Sequence, residues 1–282
     1  MLLRDVVAHA VEKLASVGID NAQVDVELLV GHVLEFSRGQ VQSALIADVE
    51  IEEDKLKQLN DLFGRRFARE PLQHLTGVAY FRQLELYVGR GVFIPRPETE
   101  SVVQIAIDVL RADATPEPIA VDLGTGSGAI ALAMHTEVPN ARVFAVEKSP
   151  EAHAFTSQNF AKYPGAELSL GDLADCFNTL NGSVSVVISN PPYIPADMVP
   201  IDPEVHLFDP SLALYGGADG LDVIRQVSNT AARLLRAGGT LVIEHADSQS
   251  AQVCELLLAD GWQQVTAHKD LTNRDRAVSA IK

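Results

Sequence analysis

The chain has 282 residues, of which 47% are hydrophobic, and it carries a formal net charge of −16 at pH 7. A field of that sign repels a phosphate backbone, so the charge argues against nucleic acid as the substrate. No apolar run reaches the roughly 20 residues of a membrane span, residues 1–17 show no signal-peptide core, and Cys176 and Cys254 form no CxxC pair. The composition predicts a cytoplasmic protein with neither a disulfide framework nor a cysteine-based metal site.

Residues 1–71 are predicted to form a small helical domain. Apolar residues recur at the three-to-four spacing of amphipathic helices in four successive runs. These runs begin near Leu2, Ala22, Ser37 and Glu52, and Pro71 closes the last. Because this part has no glycine-rich loop and no cluster of catalytic residue types, we expect it to dock a substrate rather than to carry chemistry.

Residues 72–96 are predicted to form a β-hairpin connector. Apolar residues alternate at Tyr80, Leu84, Leu86 and Val88, and Val92-Phe93-Ile94 follows the glycines. This pattern indicates two short strands joined by a turn at Gly89-Arg90-Gly91. Pro97 then suits the first turn of a helix that runs to about Leu110.

Residues 97–282 alternate strands with helices and are predicted to form the main domain. Strands are expected at 119–123, 142–146, 166–170, 184–189, 240–244, 263–268 and 276–281, with helices at 128–136, 150–161, 221–235 and 249–258. Such alternation predicts an α/β fold with a mostly parallel sheet covered on both faces. In sheets of this kind ligands bind beyond the carboxyl ends of the strands.

The first of these strands leads into a glycine-rich loop, Gly124-Thr125-Gly126-Ser127-Gly128. Glycines at alternate positions let the backbone turn sharply and approach a ligand closely. The loop also satisfies the dinucleotide fingerprint GxGxxG/A, with Ala129 in the last position, so a nicotinamide or flavin enzyme stays an alternative.

Three acidic or apolar residues after the next two strands complete a candidate cofactor site. Glu147 suits both hydroxyls of a ribose, a role shared by dehydrogenases and methyltransferases, or is an ordinary solvated side chain. Asp172 either accepts a hydrogen bond from an adenine amino group or caps a short turn. Leu173 would cover the adenine ring.

The most specific stretch is Asn190-Pro191-Pro192-Tyr193, at the end of an apolar strand. Two prolines remove two N–H donors, which leaves the Asn190 side-chain oxygen and the Pro191 carbonyl to accept the hydrogens of a substrate –NH2. Tyr193 offers a flat face to a planar group, and its ring favours a cationic sulfonium. The stretch therefore predicts a methyltransferase of planar amines or amides, because a dehydrogenase has no use for it.

The glycine loop, Glu147 and the Asn-Pro-Pro-Tyr box together resemble the HemK/PrmC family, the release-factor-specific glutamine methyltransferases. Further segments similar to that family are Pro71–Gly77, Phe93–Glu100, Glu244-His245 and Asp270–Arg276. The resemblance covers nearly the whole chain and implies a Rossmann-like class I S-adenosylmethionine-dependent methyltransferase sheet behind a small helical domain. Leu173 and Ala246 depart from the family, which often has an aromatic residue and a glycine there.

The resemblance implies S-adenosylmethionine at the glycine loop, Glu147, Leu173 and Asn190, and the substrate glutamine at Asn190, Pro191, Pro192, Tyr193 and Phe93. The implied reaction methylates the side-chain amide of the Gly-Gly-Gln glutamine in class I peptide chain release factors 1 and 2. No metal ion is expected, since methyl transfer from a sulfonium needs none. The alternatives are an adenine or ribosomal N-methyltransferase with the same box, and a non-catalytic binding protein.

Other residues of these segments keep open roles. Arg96, Glu98 and Glu100 either line the active-site entrance or complement a helix N-terminus. His245 is expected to be structural rather than a base. Residues 194–220 are expected to form a flexible lid.

Overall fold

The computed structural model describes all residues, 1–282, which divide into two compact units. The first unit is helical and comprises Met1–Gly77 together with Ile201–Phe208. The second contains every strand and comprises Val78–Pro200 together with Asp209–Lys282. A short piece of the loop after Tyr193 therefore belongs to the helical unit.

The helical unit is built on the four predicted helical runs. Its helices are α1 (Leu3–Ser16), α2 (Ala22–Leu34), α3 (Arg38–Ile46), α4 (Glu53–Phe67), α5 (Leu72–Thr76) and, from later in the chain, α9 (Pro203–Phe208). A capping box begins α3, because the Ser37 side chain accepts from the Gln40 backbone N–H while the Gln40 side chain accepts from the Ser37 N–H. The apolar faces share one core, in which Leu14, Val26 and Leu29 are fully buried.

A buried ion-pair group joins three helices of this unit. Arg66 on α4 lies 2.7 Å from Asp25 on α2 and 2.8 Å from Glu204 on α9, and Arg69 lies 3.3 Å from the same glutamate. The Arg66 side chain is only 6% exposed. Since a buried charge without a partner is strongly destabilising, these contacts hold α9 to the helical unit.

The second unit begins with a hairpin of β1 (Val78–Phe81) and β2 (Leu84–Tyr87), whose turn is Arg82-Gln83. A turn does form at Gly89–Gly91, since the Val92 N–H donates to the Gly89 carbonyl at 3.2 Å, but it does not join the two strands as predicted. Arg82 adopts a left-handed φ of 51°, and long-range contacts to Glu137 and Gln104 hold its guanidinium. Such a turn has no local signature, because favoured hairpin turns carry glycine or asparagine.

The segment after β2 packs without forming a strand. A Cβ at Gly89 would lie 2.7 Å from the Phe155 ring, so glycine permits a close approach there. Val92 and Ile94 enter a small core with Ala152 and two residues of the hairpin region. Their alternation reflects burial in this core and not strand pairing.

A seven-stranded sheet forms the centre of the second unit. Its strands are β3 (Ile119–Leu123), β4 (Arg142–Glu147), β5 (Glu167–Leu170), β6 (Val184–Ser189), β7 (Leu235–Glu244), β8 (Gln263–Lys269) and β9 (Asp275–Ile281). The spatial order is β5-β4-β3-β6-β7-β9-β8, with only β9 antiparallel to its neighbours. The chain runs from β3 outward to β5 and then returns to the other side of β3 with β6. The strand order thus reverses between β3 and β6.

Helices cover both faces of this sheet, as predicted. They are α6 (Thr99–Ala112), α7 (Ala129–Glu137), α8 (Pro150–Lys162), α10 (Ser211–Leu214), α11 (Asp222–Leu234) and α12 (Ser250–Ala259). Successive strand residues enter opposite cores: Ala120 and Ile188 pack with residues of α6 and α7, whereas Val121 and Val187 pack with residues of α11 and α12. None of the helices combines the length and apolar character needed to cross a membrane.

The helix α6 begins two residues later than predicted, at Thr99 instead of Pro97. Before it, the N–H groups of Thr99, Glu100 and Ser101 donate to carbonyls three residues earlier, which makes a tighter turn than an α-helix. This turn brings the Thr99 side chain to the first helical position.

Candidate active site

The carboxyl ends of the parallel strands carry the predicted site residues. The glycine-rich loop follows β3, Glu147 ends β4, Asp172 comes after β5, Asn190 follows β6 and Glu244 ends β7. These strands are adjacent and parallel, so their carboxyl ends lie along one edge of the sheet. The reversal between β3 and β6 opens a crevice at this edge, where sheets of this kind bind ligands. The glycine loop and Asn190 flank that crevice.

The three glycines of the loop differ in their surroundings. All have a positive φ, of 76° at Gly124, 57° at Gly126 and 88° at Gly128. A Cβ at Gly124 or Gly126 would meet no atom within 4 Å, whereas one at Gly128 would lie 2.9 Å from Phe160. Gly128 therefore permits close packing of α8, and the first two glycines border open space that is free for a ligand.

Glu147 supports the loop that it faces. Its carboxylate accepts from the Gly126 N–H at 2.8 Å and from the Ser149 N–H at 2.7 Å, and the residue is 7% exposed. It is not an ordinary solvated side chain. A carboxylate has about four acceptor positions, so two remain for a bound hydroxyl.

The remaining loop residues are held by side chains that the sequence analysis did not single out. Thr125 donates to the Asp122 carboxylate at 2.6 Å, and the Ala131 N–H donates to the same oxygen at 3.2 Å. The Ser127 carbonyl accepts from Asn159 at 2.9 Å. The only sequence signal for Asp122 was an acidic residue inside an apolar strand.

Burial raises the pKa of Asp122 to about 7, against the hydrogen bonds from Thr125 and Ala131 that lower it. A raised pKa in the folded state means that this group stabilises the fold below pH 3.8 and that the contribution is lost as the pH rises through about 7. Asp122→Asn keeps an accepting oxygen but cannot ionise.

We expect the free energy of unfolding of Asp122→Asn, relative to wild type, to increase by about 3 kcal/mol between pH 5 and pH 8, since one pKa unit corresponds to about 1.4 kcal/mol. Urea unfolding of both proteins at each pH measures this difference. A difference that stays constant with pH would contradict the assignment.

Asp172 and Leu173 lie beyond β5, and one of the two roles predicted for Asp172, the capping of a short turn, is seen in the structure. One carboxylate oxygen accepts from the Ala174 N–H at 3.0 Å, which caps a short turn, and the other lies 2.9 Å from Lys148. These contacts lower the pKa of the carboxyl, the Ala174 hydrogen bond first. Leu173 is partly buried against the core below α11 and α12.

Asn190 is fixed between neighbouring elements. The fully buried Ser189 before it donates to the Leu123 carbonyl at 2.6 Å, which joins the ends of β6 and β3. The Asn190 Nδ2 donates to the Thr99 hydroxyl at 3.4 Å, at the start of α6. No backbone N–H of the protein donates to the Pro191 carbonyl, which is therefore available to a ligand.

The backbone after Asn190 is closely packed. A Cβ at Gly216 would lie 2.5 Å from the Pro192 carbonyl oxygen, and one at Gly220 would lie 2.3 Å from that of Tyr193, so both positions require glycine. The Tyr193 carbonyl also accepts from Gln249 at 2.9 Å. Burial raises the pKa of the Tyr193 phenol far above its usual value, which keeps it neutral.

Phe93 and Arg96 form a separate group at the beginning of α6. The Arg96 guanidinium lies 4.9 Å from the centre of the Phe93 ring and 2.5 Å from Asp209. Glu100 accepts from the Arg82 N–H at 2.9 Å, so it is bound to the hairpin turn. His245 is fully buried, and burial lowers its pKa. Its Nδ1 lies 2.7 Å from the Ala246 carbonyl oxygen, while its Nε2 has no hydrogen-bond partner.

Residues 194–220 contain two short helices, α9 and α10. The expectation of an irregular lid omitted them because each is too short to show a periodic pattern. Glu204 lies on α9 in the helical unit, while Asp209 belongs to the second unit.

Comparisons with known proteins agree with this geometry. Residues 5–77 match the family model described as PrmC N-terminal domain, and residues 90–201 match the methyltransferase small domain. The release factor glutamine methyltransferase of Streptomyces coelicolor is 47% identical, with 100% of this chain and 98% of that protein covered. That of Bifidobacterium longum is 40% identical, with 100% of both covered. A 4-amino-L-phenylalanine/4-methylamino-L-phenylalanine methyltransferase of Streptomyces pristinaespiralis is 36% identical, with 95% of this chain and 90% of that protein covered.

The sheet, the glycine loop and the matched small domain define an S-adenosylmethionine-dependent methyltransferase with the class I fold. The chain belongs to the release factor glutamine methyltransferase family. The resemblance drawn from the sequence motifs is thereby confirmed, and so is the predicted fold class. The nicotinamide enzyme and the non-catalytic binding protein are not favoured.

Proposed function

We propose that this protein transfers a methyl group from S-adenosylmethionine to the side-chain amide nitrogen of the Gly-Gly-Gln glutamine in class I release factors 1 and 2, in the cytoplasm. The observation that carries the proposal is the 47% identity to a release factor glutamine methyltransferase over the full length of this chain. The similarity includes the helical unit, residues 5–77 of which match the PrmC N-terminal domain.

The residues of the crevice fit the cofactor. Open space beside Gly124 and Gly126 admits a ligand close to the backbone, and the two further acceptor positions of Glu147 suit ribose hydroxyls. Gly124–Gly128, Glu147, Asp172, Leu173 and Asn190 would hold S-adenosylmethionine. When bound, this group supplies an electrophilic methyl on a cationic sulfur. No step requires a metal ion.

The box residues would position the substrate amide. An amide nitrogen is a poor nucleophile, because its lone pair is delocalised into the carbonyl. With the Asn190 oxygen and the Pro191 carbonyl each accepting one hydrogen, and with the amide plane against Tyr193, the nitrogen is aimed at the methyl carbon. Holding this near-attack geometry contributes most of the rate. Pro192 and Phe93 would complete the wall of the pocket.

The helical unit would dock the release factor. It is a compact body with its own core, and it includes Ile201–Phe208, which follow the box by only a few residues along the chain. Docking of a folded partner here would account for a domain that contains none of the candidate chemical residues.

Labelled S-adenosylmethionine, incubated with the enzyme and purified release factors 1 and 2, tests the proposal. We expect one label per factor, and mass mapping should place it on the Gly-Gly-Gln glutamine. A release factor in which that glutamine is replaced by alanine is the matched control and should stay unlabelled. Parallel incubations with 4-amino-L-phenylalanine and with ribosomal RNA test two alternative substrates. Label on either of these, and none on the factors, would contradict the proposal.

A further inference from the structure

Thr99 and Glu244 belong to sequence segments whose role the motifs left open, and both lie beside Asn190. Ser189 on β6 is paired with Ile243 on β7, so the next residues, Asn190 and Glu244, are neighbours across the two strand ends. Thr99 is 3% exposed and Glu244 is 1% exposed. The Thr99 and Asn190 side chains both lower the pKa of the Glu244 carboxyl, which places them beside it, and the Glu244 Oε2 has no hydrogen-bond partner.

The hydrogen bonds among these residues have a defined direction. The Thr99 and Asn190 side chains lie beside the Glu244 carboxyl and lower its pKa, and an ionised carboxylate can only accept. An ionised Glu244 therefore favours the orientation of Thr99 in which the single hydroxyl hydrogen points toward the carboxylate. Toward Asn190 the hydroxyl can then only accept, which requires the Nδ2 of Asn190 on that side, at 3.4 Å. The Asn190 oxygen must point the opposite way.

We propose that Thr99 and Glu244 are positioning residues that fix the orientation of the Asn190 amide, so that its oxygen and not its –NH2 faces the substrate. The inference rests on the proposed function, because the orientation matters only if Asn190 accepts a hydrogen from the substrate amide. A flipped Asn190 would present a donor to another donor and would repel the substrate –NH2. Thr99 and Glu244 act through Asn190 and need not touch the substrate.

The surroundings of Glu244 make this arrangement sensitive to pH. Burial raises the pKa of Glu244 to about 7, and the negative charge of Glu98 acts in the same direction, while Arg276 on β9 lowers it. The neutral phenol of Tyr193 lies beside the same group, with Arg96 nearby. A protonated Glu244 can donate to Thr99, which frees the hydroxyl hydrogen and removes the preference for one amide orientation.

Thr99→Val and Thr99→Ser separate positioning from folding. Valine keeps the shape but removes the hydroxyl, and we expect kcat for release factor methylation to fall by about tenfold, the scale of one lost orienting hydrogen bond. The KM for release factor and the Kd for S-adenosylmethionine should stay within about twofold, since neither ligand loses a contact. Thr99→Ser restores the hydroxyl and should restore kcat. Thermal unfolding of both variants shows whether the fold is intact.

Glu244→Gln provides an independent measurement. Glutamine can both donate and accept, so it no longer imposes a direction on Thr99, and kcat should again fall by about tenfold. The wild-type kcat should rise with pH through about 7 as Glu244 ionises, and this rise should be absent in Glu244→Gln. A Thr99→Val enzyme with wild-type kcat, or a pH profile unchanged in Glu244→Gln, would overturn the inference. Failure of the wild type to methylate release factors would instead overturn the proposed function.

Discussion

Asn190→Ala is expected to lower the turnover number for release factor methylation by at least about a hundredfold, the scale of losing a near-attack geometry. The substitution removes one of the two acceptors that would orient the amide, so the nitrogen samples many unproductive angles. It also leaves the Thr99 hydroxyl without its 3.4 Å donor. Cofactor affinity should change far less, because Asn190 is one contact among several.

Asn190→Asp should be equally damaging, although it keeps the shape and the accepting oxygens. Its charge would stand beside the buried carboxyl of Glu244, and neighbouring like charges oppose ionisation. A carboxylate also stabilises the sulfonium in the ground state, whereas the positive charge disperses during transfer. Both variants therefore lose rate for different reasons.

Asn140→Ala is the matched control for these two variants. Asn140 is exposed and bonds the Pro116 carbonyl near the start of β3, at the opposite end of the sheet. Turnover and calorimetric cofactor affinity should be measured on all three variants. An Asn190→Ala enzyme that methylates at close to the wild-type rate would show that the amide-orienting mechanism is wrong.

Glu147→Ala is expected to weaken S-adenosylmethionine binding by at least about a hundredfold, because the two proposed charge-assisted hydrogen bonds to the ribose would contribute roughly 1.5–3 kcal/mol each. The loss should be larger than those bonds alone imply. Glu147 also holds the Gly126 N–H at 2.8 Å, so its removal frees the loop on which the cofactor would lie. Calorimetry with S-adenosylmethionine measures the effect.

Glu167→Ala is the control for this substitution. Glu167 is an exposed carboxylate at the amino end of β5, where it lies 3.8 Å from Arg142. Because the candidate site lies at the carboxyl ends of the strands, the loss of Glu167 should leave cofactor binding unchanged. NAD(H) should bind neither the wild type nor either variant. If NAD(H) bound the wild type in preference to S-adenosylmethionine, the proposed cofactor would be wrong. If Glu147→Ala bound S-adenosylmethionine normally, the ribose role of Glu147 would be wrong.

Local patterns were sufficient to predict most of the sheet and the positions of the candidate loops. A strand buried on both faces is a short apolar run, as in Val184–Ser189, and glycines or prolines directly after it end the strand. The two loops of interest therefore follow β3 and β6, as predicted. Their approach to one another follows from general rules for parallel sheets. The boundaries of the predicted helices were correct to within two residues for the same reason, since periodicity is a local property, whereas the short helices α5, α9 and α10 were not predicted.

Contacts between distant parts of the chain determined the rest. Arg82 lies in the hairpin turn with its side chain held by Glu137, far along the sequence, and no turn pattern marks it. Thr99, Asn190 and Glu244 are separated by about ninety and then more than fifty positions, yet strand pairing and the start of α6 bring them together. A hydrogen bond between such residues depends on register and on side-chain direction. Composition and spacing carry neither, so the sequence indicated an amide acceptor at Asn190, whereas its orientation follows only from the packed neighbours.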